Sequence, residues 1–312
     1  MYSDRQDTKN DTKSDTKSDT EAPAPDASAS DTLAANPHAD RVRDLVAHPR
    51  FPRAARYDPG WIMAGEMGPN VLWLTEALCE QMTLEPGMRV LDMGCGRGLS
   101  SVFLAKEYGV RVWANDLWVK PADIWATATE AGVGDVVCPI QAEARHLPYA
   151  EGFFDAIVCV DSYAYYGTDD LYLPYIARFV RPGGQIGVVM AGLAQDFDGP
   201  VPEHLTRPQA HGGVFWDQSE CTCFHTTAWW RRHFGRSGLV EVEYAADLPD
   251  GCGLWQRWEE ARALAGGGFS GFPSDAETLE RDGGRYLAFP LLVARRNPGV
   301  EFQTHSTHFR LP

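Results

Sequence analysis

VLDMGCGRGLSS, residues 90–101, places an apolar run, a carboxylate and three alternating glycines side by side. Glycine has no Cβ and adopts positive φ at little cost, so such a turn lets a ligand approach the backbone. The dinucleotide fingerprint is Gly-x-Gly-x-x-Gly, whereas Gly94, Gly96 and Gly98 alternate with single residues. Asp92 repels a diphosphate but accepts hydrogen bonds from an ammonium or from water. The stretch predicts a zwitterionic ligand; the alternative is a tight turn in which Asp92 caps backbone amides.

The chain around this turn alternates between short apolar runs and segments with helical spacing. Residues 71–82 carry apolar side chains three and four positions apart, which is typical of a helix that packs on a core. Strands that alternate with helices indicate a parallel, doubly wound sheet whose ligand lies at the carboxyl ends of the strands. The segments predicted as strands two to five are VRVWAND, VVCPIQAEA, FDAIVCVDS and QIGVVMAG.

Two further acids follow the predicted strand ends. Asp116 ends strand two, where a doubly wound fold presents a carboxylate to ribose hydroxyls. Glu143 follows strand three, where a carboxylate can accept from an adenine amino group. Trp118 lies just past Asp116, and we weigh stacking on adenine equally against simple packing. Together with the glycines, these acids predict a nucleoside ligand.

With these residues, the sequence resembles the class I S-adenosylmethionine-dependent methyltransferases, in particular the group related to ubiquinone biosynthesis and cyclopropane-fatty-acid synthase. The resemblance covers residues 67–189 through VLDMGCGRGLSS, VWANDLW, AEARHLPYAEGFFDAIVCVDS and ARFVRPGGQIGVV. It implies an α/β, Rossmann-like sheet of seven strands whose last strand is antiparallel, with GLVEVEYAADL and RYLAFPLLVARR as strands six and seven.

The resemblance also implies S-adenosylmethionine as cofactor, with S-adenosylhomocysteine as product, and assigns roles to residues. The glycine turn and Asp92 would border the methionine moiety, and Asp161 would lie near the methyl group. Asp116 would hold the ribose. The cofactor-binding residues so predicted are Asp92, Gly94, Gly96, Gly98, Asp116, Leu117, Trp118, Glu143, Ala144 and Asp161.

Composition bounds the organisation of the chain. Residues 1–40 hold a four-residue polar repeat and few apolar side chains, which predicts a disordered tail. Residues 41–300 form the expected methyltransferase domain, with substrate-covering insertions at about 192–225 and 248–272, and residues 301–312 form a C-terminal tail.

Charge and cysteine usage exclude several classes of function. The formal net charge of -15 argues against a nucleic-acid partner, because such binding depends on cationic contacts. Seven scattered cysteines favour a reducing compartment, so we expect a cytoplasmic protein. No apolar run reaches the roughly 18 residues of a membrane span. A homo-oligomer is left open.

The segments that the family pattern leaves free are expected to bind the acceptor. Tyr163 and Tyr166 follow Asp161 and are candidates to orient the acceptor or the sulfonium, whereas Tyr165 is expected to pack under the next helix. His204, in the long connection after strand five, is a candidate base. The catalytic candidates are thus Asp161, Tyr163, Tyr166 and His204.

Two further stretches carry side chains of interest. Trp255, Trp258 and Glu259 lie three and four apart and are expected either to cover the acceptor or to form a core or dimer stripe. Cys221 and Cys223 raise an arsenite or thiol alternative, although their run lacks the second half of a zinc site. We expect no metal.

The leading hypothesis is therefore direct displacement of a methyl group onto a small-molecule acceptor. A methyltransferase needs mainly to align the nucleophile, exclude water and, where required, remove a proton. The alternatives are the arsenite type, a regulator that binds the cofactor without catalysis, and an NAD-dependent oxidoreductase, against which the glycine spacing and Asp92 count.

Overall fold

The computed structural model describes residue 33 and residues 35–219, 221–266, 274–300 and 302. Its centre is one sheet of seven strands in the order β3-β2-β1-β4-β5-β9-β7. Strands β1 to β5 pair in parallel, and β9 runs antiparallel between β5 and β7. The predicted sheet with an antiparallel last strand is confirmed. The strands among the described residues are β1 (Arg89–Met93), β2 (Arg111–Asp116), β3 (Val137–Gln141), β4 (Phe154–Val160), β5 (Val180–Val189), β6 (Gly192–Leu193), β7 (Val240–Asp247), β8 (Leu287–Ala288) and β9 (Pro290–Arg296).

Helices cover both faces of this sheet. Asn70 begins the helix after it because its side chain accepts hydrogen bonds from the amides of Leu72 and Trp73, at 3.1 and 3.2 Å. The described α-helices are Ala39–Val46, Pro59–Ala64, Val71–Cys79, Leu99–Tyr108, Pro121–Glu130, Ala164–Gly167, Tyr172–Ala177, Glu203–Thr206, Thr227–Gly235, Gly251–Leu264 and Ala276–Asp282. We call Gly251–Leu264 the late helix.

The core consists of two apolar layers separated by the sheet. Neighbouring residues of β1 point to opposite faces, so Val90 packs in one layer and Leu91 in the other. Each buried side chain of this size contributes about 1.5–3 kcal/mol to folding. The two layers fix the strands, and with them the edge at which the strands end.

The folded domain includes residues that the sequence assigned to the N-terminal tail. Leu33 is buried in the core, and Asn36 donates a hydrogen bond of 3.0 Å to the Leu264 carbonyl of the late helix. The predicted tail boundary at residue 40 is therefore too late, because an apolar side chain within it packs on the domain. Residues 1–32 and residue 34 lie outside the described residues.

Both predicted insertions leave the sheet near its carboxyl edge. After β5 the chain forms β6, which pairs with β8. The late helix occupies most of the second insertion, whose residues 267–272 lie outside the described part. Of the predicted C-terminal tail only Phe302 is described, and the Arg296 guanidinium lies 4.6 Å from its ring centroid.

Candidate active site

The glycine turn is hydrogen-bonded to the end of the neighbouring strand β2. Gly94, Gly96 and Gly98 have φ values of 70, 54 and 86°, in the left-handed region that favours glycine. The amides of Gly94 and Cys95 donate to the Asn115 carbonyl at 2.8 and 3.0 Å. The turn therefore lies at the carboxyl edge of the sheet, as predicted.

The turn also has no room for larger residues. A Cβ on Gly96 would lie 2.9 Å from the Met67 sulfur, and a Cβ on Gly98 would lie 3.0 Å from Ile124. A Cβ on Gly94 would overlap the Ser162 side chain. Close approach and positive φ thus both require glycine at these positions.

Asp92 lies behind the turn with only 1% of its surface exposed. Its Oδ2 accepts hydrogen bonds of 2.6 Å from the hydroxyls of both Ser100 and Ser101, in the first turn of the following helix. Burial raises the pKa of Asp92 to about 6, although the two hydroxyl groups lower it. Its carboxylate serves the helix terminus in this structure, and contact with a ligand ammonium stays a prediction.

Asp116 lies beside the turn and is held by three backbone amides. Its Oδ2 accepts from Gly96 at 2.9 Å, and its Oδ1 accepts from Trp118 and Val119 at 2.8 and 2.9 Å. A carboxylate offers about four acceptor positions, so about one remains for a further donor. Sequence placed Asp116 at this edge, but it did not predict that the side chain also fixes the glycine turn.

The remaining predicted adenine contacts line the same edge. Leu117 and Trp118 are 47% and 73% exposed, which leaves the Trp118 ring open to solvent. Glu143 accepts from the amide and the guanidinium of Arg145, at 2.7 and 2.9 Å. Burial would raise the pKa of Glu143, but these bonds outweigh it and hold that pKa below its usual range. Ala144 follows Glu143, and its carbonyl accepts from a tyrosine hydroxyl.

Asp161 adopts a strained backbone at the end of β4. Its φ of 54° lies in the left-handed region, which a residue with a side chain rarely occupies. Its Oδ1 accepts a hydrogen bond of 3.1 Å from the Ala191 amide, which lowers the pKa of Asp161. Burial has the larger effect and raises that pKa to about 7. A Cβ built on Gly68 would lie 3.1 Å from Asp161 Oδ2. The structure therefore presents a carboxyl that titrates near neutral pH at this edge.

The three tyrosines after Asp161 differ from their predicted arrangement. Tyr163 is buried, and its ring centroid lies 5.7 Å from that of Trp230. The Tyr166 hydroxyl lies 2.9 Å from both Cys159 Sγ and Ser162 Oγ. Tyr165 is 56% exposed, so the expectation that it packs under the next helix is wrong. The short Ala164–Gly167 helix places residues 163 and 166 on one face and residue 165 on another.

His204 lies at a separate cavity in the first insertion. Its Nε2 is 2.9 Å from Oδ1 of the buried Asp282. The cavity has a volume of about 610 Å³ and is also lined by Tyr286 and three arginines. The sequence selected His204 but gave no sign of Asp282, which is 78 residues away.

A segment in which the sequence predicted no site residue crosses the glycine turn. We call residues 64–70 the cover segment. Its Ala64 carbonyl accepts a hydrogen bond of 2.6 Å from Arg97 Nη1, and its Met67 sulfur packs against Gly96. The Gly68 carbonyl accepts from Trp258 Nε1 at 2.9 Å. The two glycines of AGEMGPN, residues 64–70, were the available signal for a closely packed loop.

The late helix belongs to the core rather than to an exposed acceptor wall. Trp258 is fully buried, and Trp255 packs with its ring centroid 5.2 Å from that of Phe289. Glu259 is buried and bonds to Arg262 at 2.7 Å. The core alternative is thus the one that the structure supports, and the Trp258 indole also donates a hydrogen bond to the Gly68 carbonyl near the site.

The cysteine run has no metal-binding arrangement. Cys221 Sγ donates to the Phe215 carbonyl at 3.4 Å, and the His225 ring stacks on Trp229 at 3.8 Å between centroids. In the part of the chain that the structure describes, no group of three or more His, Cys, Asp or Glu side chains could hold a metal ion. Nor does any helix there have the length and apolar character that crossing a bilayer requires.

Comparison with known proteins identifies the fold. Residues 90–184, which run from β1 to the first half of β5, match the methyltransferase domain family. The matched residues include the glycine turn, Asp116 and Asp161. Methyltransferase GfsG of Streptomyces halstedii is 31% identical over 164 residues, 51% of this chain and 56% of GfsG. The chain thus spans about half the length of these curated relatives.

Solved structures of the same fold have diverse functions. Geranyl diphosphate C-methyltransferase from Streptomyces coelicolor A3(2) has a TM-score of 0.55 and 20% identity, over 88% of this chain and 90% of that chain. The [4+2]-cyclase SpnF has a TM-score of 0.55 and 19% identity, over 75% and 85% of the two chains. At such identity these likenesses concern the fold alone, and the reaction must be argued from the site.

Proposed function

We propose that this chain transfers a methyl group from S-adenosylmethionine to a small-molecule acceptor and releases S-adenosylhomocysteine. One observation carries the proposal: Asp116, fixed by three backbone amides, lies beside a glycine turn that no other residue type could form. This pairing offers a ribose acceptor next to a backbone surface that a ligand can approach closely.

The residues present fit that cofactor. Asp116 keeps about one acceptor position for a ribose hydroxyl, since backbone amides use the others. The Gly94 to Gly98 turn would border the methionine moiety, and Glu143 with Ala144 would meet adenine. The exposed ring of Trp118 is available to stack on the base. When bound, the cofactor supplies a methyl carbon that is electrophilic because it is attached to a sulfonium.

Asp161 is our candidate for removing the acceptor proton. A base is most effective when its pKa lies near the working pH, and burial raises the pKa of Asp161 to about 7. The proton of the acceptor would pass to the Asp161 carboxylate as the acceptor atom bonds to the methyl carbon and the carbon–sulfur bond breaks. Tyr166 would act on the position of Ser162 and Gly94 rather than on the acceptor, since its hydroxyl bonds to Ser162.

Three alternatives lead to different experimental results. A regulator would bind S-adenosylhomocysteine but transfer no methyl group, and a cyclase on this fold would convert its substrate without consuming the cofactor. An arsenite enzyme would depend on Cys221 and Cys223. The buried Cys221 thiol bonded to a carbonyl does not favour that chemistry.

The test combines binding with transfer. Calorimetry with the full chain is expected to give a dissociation constant for S-adenosylhomocysteine in the micromolar range, about -8 kcal/mol. Incubation with methyl-labelled cofactor and a panel of small phenols, amines, acids and arsenite is expected to yield a labelled organic product. Absence of binding would overturn the proposal, and binding without transfer to any acceptor would favour the regulator. Labelled methylarsenic that disappears in Cys221→Ser would favour the arsenite type.

A further inference from the structure

The first insertion and residues 281–286 enclose the cavity of about 610 Å³ that His204 lines. The lining includes the guanidinium side chains of Arg207, Arg281 and Arg285. We propose that this cavity binds an anionic group of the acceptor, a carboxylate or a phosphate. That the anion belongs to the methyl acceptor rests on the proposed function, but the presence of an anion site can be measured independently.

The cavity is cationic in a protein that is strongly acidic. Three arginines line it against two carboxylates, Asp198 and Glu203, while the whole chain carries a formal net charge of -15. The planar guanidinium donates several parallel hydrogen bonds and matches the paired oxygens of a carboxylate or phosphate. Three of them around one cavity therefore favour an anionic ligand over a neutral one.

Arg281 has a donor that the protein leaves unused. Its Nη2 donates to Glu277 at 2.7 Å, so one carboxylate is already paired with it. Its Nη1 is buried and has no hydrogen-bond partner among the described residues. Buried donors in folded proteins normally have a partner, and an unsatisfied one is costly. The Arg281 side chain is 26% exposed and lines the cavity, so an oxyanion would bind its accessible part, and Nη1 could reach that oxyanion only after the side chain turned.

His204 and Tyr286 add polar side chains to the same wall. His204 is held through Nε2 by Asp282, whose Oδ2 also accepts from the amide of Leu287 at 2.9 Å. The imidazole is thus oriented by a fully buried carboxylate, which leaves its second ring nitrogen for other contacts. In the protonated ring, Nδ1 can donate to an anion alongside the arginines, whereas in the neutral ring it is an acceptor.

A short chain path connects the cavity to Asp161. The Ala191 amide donates to Asp161, and the Ala194 amide donates to the carbonyl of Tyr286 at 2.7 Å. Ala191 and Ala194 are three residues apart, which limits their separation to roughly 11 Å. The segment that contacts Asp161 thus also contacts Tyr286 of the cavity wall, and an acceptor that binds at both places must span at least the distance between them.

The test uses the full chain with isotope-labelled arginine, without cofactor, titrated with inorganic phosphate and separately with acetate. Saturable shifts of the Arg281 and Arg285 side-chain NMR signals are expected with at least one anion. Saturation by phosphate alone supports a phosphate-bearing acceptor, and saturation by acetate alone supports a carboxylate. We expect Arg281→Gln to weaken the binding about tenfold or more.

Controls separate this inference from the proposed function. Arg41→Gln removes an exposed arginine that pairs with Glu260 and should leave anion affinity unchanged. Arg285→Gln, at an exposed position, repeats the test if Arg281→Gln unfolds. Both cavity variants should keep wild-type affinity for S-adenosylhomocysteine. Failure of the wild type to bind S-adenosylhomocysteine would overturn the methyltransferase proposal but would leave the anion site untouched. Shifts that never saturate with either anion, or variants that bind like wild type, would overturn the anion site.

Discussion

Arg262 joins the late helix to the cover segment through a hydrogen bond of 3.1 Å from its Nε to Glu66 Oε1. Both side chains are buried, and Arg262 Nη1 also donates to Glu259 at 2.7 Å. Glu66 lies next to Met67, whose sulfur packs against Gly96. The buried ion group therefore fixes the position of the chain that crosses the glycine turn.

Replacing the cation in this group should be costly. Arg262→Met would leave Glu66 and Glu259 buried without it, and breaking a buried pair in this way typically costs about 3–5 kcal/mol. Denaturant unfolding of the full chain measures the loss. Arg41→Met is the matched control, because Arg41 and Glu260 are about half exposed and such pairs contribute roughly 0–1 kcal/mol. Equal small losses in both variants would contradict this account.

Asp116→Ala should weaken S-adenosylmethionine and S-adenosylhomocysteine alike. The change removes the ribose acceptor and also leaves the Gly96, Trp118 and Val119 amides without their partner. A lost charge-assisted bond corresponds to a decrease in affinity of about tenfold to a hundredfold, which calorimetry can measure. Asp135→Ala removes an exposed acid of equal charge and should leave affinity unchanged. Wild-type affinity in Asp116→Ala would remove Asp116 from the site.

Much of this site followed from local sequence patterns. The β1 turn and the Asp116 position depend on residue spacing and on the alternation of strands and helices, whereas the seven-stranded sheet with its antiparallel last strand was implied by the family resemblance. The predicted arrangement of the tyrosines was wrong because the four-residue helix after β4 buries Tyr163 and Tyr166 and exposes Tyr165. A stretch this short has no periodicity from which these positions could be predicted.

The contacts that close the site could not be predicted in this way. Glu66 and Arg262 are 196 residues apart, and His204 and Asp282 are 78 apart. Each of these pairs depends on how an insertion folds back over the sheet, which no local propensity encodes. The acidic residues at the strand ends are positioned by the regular fold. The proposed acceptor side, in contrast, is formed by tertiary contacts between distant segments.

Deletions at the N-terminus should separate the tail from the domain. Removing residues 1–40 removes Leu33, whose buried side chain contributes about 1.5–3 kcal/mol. Removing residues 1–32 keeps Leu33, so this variant should be the more stable of the two by about 2 kcal/mol in denaturant unfolding. Both should bind S-adenosylhomocysteine like the full chain. The two deletions differ by residues 33–40, which include Leu33 and Asn36, so equal stability would show that this segment does not support the domain.

Asp92→Asn should change how stability depends on pH. The pKa of Asp92 is about 6 in the folded protein and 3.8 ordinarily, so the folded state binds more protons between these values. The unfolding free energy that Asp92 contributes therefore falls as pH rises from about 4 to about 6, by about 3 kcal/mol. Asparagine cannot ionise, yet its oxygen can still accept from Ser100 and Ser101. The unfolding free energy of the wild type minus that of the variant should therefore fall by this amount as the pH rises across that range. A difference that does not change with pH would refute the assignment.

Asp161→Asn tests the proposed base directly. In the wild type, kcat should rise tenfold per pH unit below about 7 and level off above it, because the carboxylate form of Asp161 takes the proton. The variant should lose this slope and about a hundredfold or more in kcat, while its affinity for S-adenosylhomocysteine stays unchanged. Asp250→Asn is the matched control, since Asp250 is the other described non-glycine residue with left-handed φ. Asparagine tolerates that backbone, so a loss shared by both variants would point to the backbone instead of proton transfer. A wild-type profile without an inflection near neutral pH would exclude Asp161 as the base.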